Sequence, residues 1–96
     1  MTHAQTISFI TRSMVYQGYW EYQPARPDLY GGILNGSGHD VDVATFIFYT
    51  ENGFGGVPDY PDTGPFPAAH QAATRAWFAR ALWNALNSYF SIDRVP

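Results

Sequence analysis

The chain contains no cysteine and no lysine, and only 14% of its residues are charged. Without cysteine there are no disulfides and no thiolate metal site. Without lysine the positive charge rests on five arginines, Arg12, Arg26, Arg75, Arg80 and Arg94, which are too scattered to track a phosphate backbone. Direct nucleic-acid binding is therefore not expected. The longest apolar stretch, Ala44 to Tyr49 with Thr45 inside it, falls far short of the roughly 20 residues of a membrane span. The opening MTHAQTISF has no basic segment leading into an apolar one, so no signal peptide is read there. The expectation is a cytoplasmic protein with no membrane partner.

What is present is aromatic. Of 96 residues, 46% are hydrophobic and 18% are Phe, Trp or Tyr, a composition that belongs to a folded chain and predicts one domain over residues 1–96. The net charge of −3 is unevenly spread. Between Arg26 and Arg75 stand Asp28, Asp40, Asp42, Glu51, Asp59 and Asp62, and no basic residue. Solvated loops are the plain account of that segment. The sharper account is a negative patch that steers toward a basic partner.

The residue pattern predicts an α+β fold: a small antiparallel sheet of three or four strands, with one long C-terminal helix packed on one face. Residues 6–16 and 19–23 are rich in β-branched and aromatic types, which favours strands. Their alternation changes phase, because Ile7 and Phe9 have one parity and Met14, Tyr16, Trp20 and Tyr22 the other. Either a bulge near Arg12–Ser13 or a hairpin turn at Gln17–Gly18 accounts for this, and Gly18 favours the hairpin. Residues 41–50 (VDVATFIFYT) are apolar on both parities, as in a central strand covered on both sides. Gly/Pro-rich loops fill 24–40 and 51–67, the second long enough to act as a lid. A helix over about 68–90 follows, started by Pro67. Its period places Phe78, Leu82, Leu86, Ala79, Tyr89, Phe90 and Trp83 on the core face, with Trp77 beside Arg80 on the outer side.

No motif names a reaction. The run GGILNGSG (31–38) lacks the Lys-Ser/Thr of a phosphate loop, and Ser37 has no nucleophile-elbow spacing. His39, Asp40 and Asp42 are metal-ligand types, with both aspartates on one face if the segment is extended, but nothing specifies further ligands. Glu21, Glu51 and Asp59 offer carboxylates without a separation that would define glycoside hydrolysis. No catalytic residue, metal or cofactor is expected, and the chain is not read as an enzyme.

The aromatic residues carry the functional expectation, since Tyr and Trp are the types enriched where proteins bind one another. The expected function is a non-catalytic protein-binding module that occupies a basic, nucleic-acid-binding type of site on a protein partner. Small acidic domains without motifs include inhibitors from phages and mobile elements, anti-CRISPR proteins among them; the analogy is one of type alone. The partner-binding candidates are Tyr22, Asp28, Tyr30, Glu51, Phe54, Asp59, Tyr60, Asp62, Trp77 and Arg80. Two alternatives stand beside it. One is a small-ligand-binding domain with 51–67 as its lid; the other is a self-associating structural protein, such as a homodimer.

Overall fold

Thr2 and Gln5 open the first element with a reciprocal cap. The Thr2 hydroxyl accepts from the Gln5 backbone N–H at 3.1 Å, and the Gln5 side chain accepts from the Thr2 N–H at 2.9 Å. This capping box satisfies two of the donors that a helix start leaves unpaired. Helix α1 then runs His3–Tyr16. In the computed structural model, which describes residues 1–25, 38–58 and 71–94 with side chains to Tyr89, α2 spans Asp40–Thr50 and α3 spans Arg75–Arg94.

These three helices, each packed on the other two, overturn the expected α+β fold. Among the described residues there is no strand, and the only β-pairing is an isolated antiparallel bridge between Thr2 and Ala72. The segment 6–16, expected as a strand, lies in α1. The apparent phase change there is a helical period seen through an alternating template: Ala4, Ile7, Thr11 and Met14 are buried at spacings of three and four. Gly18 does adopt a positive φ of 84°, but it ends a helix and makes no hairpin. Gly18 N–H donates to Val15 O and Tyr19 N–H to Met14 O, both at 2.9 Å, which is the Schellman arrangement.

The segment 41–50, expected as a central strand, is α2. It is buried on most sides, as the apolar pattern implied, but a helix that is apolar all round gives the same signal. Its β-branched residues each cost a few tenths of a kcal/mol in helix propensity. Burial outweighs that cost, with Val43 and Phe46 fully enclosed. The buried threonines are satisfied locally: Thr45 donates to Val41 O at 2.8 Å and Thr50 to Phe46 O at 2.7 Å. Asp40 and Asp42 sit in the first turn, where negative charge suits the helix dipole.

Helix α3 starts at Arg75, later than the expected residue 68. Thr74 sets that boundary: its hydroxyl accepts from Trp77 N–H at 3.1 Å and its carbonyl from Phe78 N–H at 2.9 Å. The preceding residues pair with the N-terminus instead, through His3 N–H to Gln71 O and Ala73 N–H to Met1 O. The buried face of α3 also differs from expectation. It carries Trp77, Ala81, Ala85 and Ser88, while Phe78, Leu82 and Leu86 are half-buried. Trp77, expected outside, is 4% exposed; Trp83, expected inside, is 65% exposed. Ala81, Ala85 and Ser88 are fully enclosed, so the core line of α3 follows small residues and not the largest side chains.

Candidate functional site

The Schellman turn at Gly18 throws the chain off α1 and across α2 and α3 as a strap, residues 19–23, expected as a strand but without regular structure. Aromatic stacking and two hydrogen bonds hold it down. Tyr19 stacks on Tyr89 with centroids 3.9 Å apart, and Trp20 lies against Tyr49 at 4.9 Å and edge-on to Phe46 at 5.8 Å. The backbone N–H of Glu21 donates to the Tyr49 hydroxyl at 3.0 Å. The N–H of Gln23 donates to the Thr45 hydroxyl at 2.8 Å. Trp20 is buried, and its indole N–H has no acceptor among the described residues. Outward, the same strap exposes Tyr19, Glu21 and Tyr22, and Phe48 stands edge-on to Tyr49 at 5.0 Å while 59% exposed.

A second polar feature joins α1 to the start of α2. The Ser8 hydroxyl lies 2.7 Å from His39 Nδ1, the Thr11 hydroxyl donates to Asp42 O at 3.1 Å, and Arg12 Nε donates to Asp42 Oδ2 at 3.1 Å. Asp42 is buried and Arg12 exposed. Beside this contact line, an open groove of about 680 Å³ follows the outer face of α1.

The helical geometry separates the residues considered for a metal. On α2, Asp40 and Asp42 do not share a face, and Asp42 turns inward to Arg12 while His39 meets Ser8. Among the described residues no group of three His, Asp or Glu side chains is placed to hold a metal ion.

Of the partner-binding candidates, Tyr22 is 50% exposed on the strap and Glu51 is exposed at the C-cap of α2. Phe54 is half-buried and Arg80 is exposed on α3. Trp77 is interior: its indole donates to Pro58 O at 3.0 Å and its ring packs on His3 at 4.2 Å. Asp28, Tyr30, Asp59, Tyr60 and Asp62 lie outside the described residues. Arg12, expected only as the place of a bulge within a strand, stands exposed on α1. The helical spacing of Phe9, Arg12 and Tyr16 was the available signal for the α1 groove.

No protein-family model, curated protein or solved structure matches this chain. The described residues define its class as a three-helix bundle bound by an aromatic strap. Among them, no helix is long and apolar enough to cross a membrane.

Proposed function

We propose that this chain is a non-catalytic protein-binding module that engages a basic site on a protein partner through the strap surface. The observation that carries this reading is the clamped strap itself. Its backbone is pinned by Tyr49 and Thr45 while Tyr22 and the neighbouring Phe48 stay exposed. Aromatic side chains carried on a backbone already held in place lose less freedom on binding, which suits a hot spot. Glu21 among them, and the net charge of −3, suit a partner of opposite sign.

The experiment is affinity capture with the wild-type chain, followed by titration of the captured protein against Tyr22→Ala, Phe48→Ala and Glu21→Arg. Each is expected to weaken binding by about tenfold or more with an unchanged melting temperature, and the wild-type affinity is expected to fall as salt rises. Unchanged affinity in all three variants removes the strap from the binding surface. Self-association has one supporting observation, the exposed Trp83 flanked at helical spacing by exposed Ala76 and Ala79. Sedimentation of a clean monomer at high concentration ends that second reading.

A further inference from the structure

The helical period divides α1 into two stripes. Ala4, Ile7, Thr11 and Met14 enter the core, and Gln5, Phe9, Arg12, Ser13 and Tyr16 line the outer groove. Phe9 and Tyr16, both exposed and the second 87% so, flank an arginine in a groove whose volume of about 680 Å³ falls in the range of small-molecule sites. Ser8 and His39, 2.7 Å apart, contribute to the same lining.

We infer that this groove binds a small amphipathic carboxylic acid, its apolar body against Phe9 and Tyr16 and its carboxylate on the Arg12 guanidinium. Buried Asp42 engages only Nε of Arg12, which leaves the terminal nitrogens without an acceptor among the described residues. That single bond anchors the guanidinium and turns a flexible side chain into an oriented fork, the geometry that matches a carboxylate. No acidic residue is found among the described residues that line the groove. One guanidinium, already sharing its charge with Asp42, suits a monoanion better than a phosphate dianion. The site is separate from the strap surface, and its success or failure is independent of the proposed partner binding.

The test is titration of 4-phenylbutyrate into the ¹⁵N-labelled protein, followed at the Arg12 Nε–H and at the amides of Phe9, Ser13 and Tyr16. Saturable shifts at these positions are expected, with Kd on the order of 1 mM or tighter for a ligand of this size. Butyrate and 4-phenylbutan-1-ol, each lacking one half of the recognition, are expected to bind about tenfold more weakly or worse. Arg12→Gln is expected to give the same loss, and Ser13→Asp repeats the test by adding a carboxylate at an exposed position with Arg12 and Asp42 intact. Phe48→Ala is expected to leave binding unchanged. Absence of saturable shifts up to about 20 mM overturns the inference. So does equal binding of the alcohol, or full affinity in Ser13→Asp.

Discussion

The Trp20 indole and the Tyr49 phenol lie stacked, with 1° between their planes and centroids 4.9 Å apart, while the Tyr49 hydroxyl accepts a hydrogen bond from the backbone beside that same tryptophan. One tyrosine thus holds the strap twice, through its ring and through its oxygen. Tyr49→Phe keeps the ring contact and leaves the Glu21 N–H without its protein acceptor. The expected loss is about 0.5–1.5 kcal/mol in urea unfolding, with faster hydrogen exchange at Glu21. Unaltered exchange there would show that the hydroxyl does not hold the strap.

Arg12 and Asp42 form an asymmetric pair, one exposed and one buried. Removing the arginine leaves a buried carboxylate with its principal partner gone. Arg12→Ala is expected to cost about 1–2 kcal/mol, below the figure for fully enclosed pairs because water reaches the arginine. Replacing both partners, as Arg12→Met with Asp42→Leu, is expected to recover most of that loss. A double-mutant cycle by chemical denaturation measures the coupling.

Gly55 has a φ of +93°, and a Cβ built there would lie 2.8 Å from the Asn84 amide nitrogen, which itself donates to Gly56 O. Strain and collision act together at this position. Gly55→Ala is expected to destabilise the protein by about 1–3 kcal/mol. Asn84→Ala removes the collision but keeps the strain, so the double variant is expected to lose less than the sum of the two single losses, read from melting curves.

Thr74 decides where α3 begins. Thr74→Ala removes the side-chain acceptor for Trp77 N–H and is expected to cost about 1 kcal/mol. Thr74→Asp restores an acceptor and adds a negative charge at the helix start, so it is expected to match or exceed the wild-type melting temperature.

The sequence disclosed the C-terminal helix, and misdirected the rest for identifiable reasons. Thr, Val, Ile and Phe in 6–16 and 41–50 favour strands by propensity, yet the buried threonine hydroxyls of α2 return to carbonyls four residues back and make those residues compatible with a helical core. The spacing Thr2-x-x-Gln5 was a legible helix start, and Ala4, Ile7, Thr11 and Met14 a legible helical stripe. Alternation fitted to the same residues produced a false phase change. Trp77 and Trp83 exchanged places because ranking faces by apolar bulk ignores the buried line that small Ala81 and Ala85 form with Trp77. Tyr22 was legible as an aromatic candidate. The clamp on the strap was not, because it depends on tertiary contacts of Trp20 and Glu21 with Tyr49.

The contrast among the three tryptophans gives the molecule built-in optical probes. Trp20 and Trp77 are shielded from solvent, whereas Trp83 emits from an aqueous setting and is the one open to a collisional quencher such as acrylamide. Trp77 also has the His3 imidazole against its ring, a contact able to dim its emission. A titration in which only the quenchable, red-shifted fraction changes therefore reports an event on the outer surface of α3. A shift in the protected fraction reports the interior, and the two are separable without adding a label.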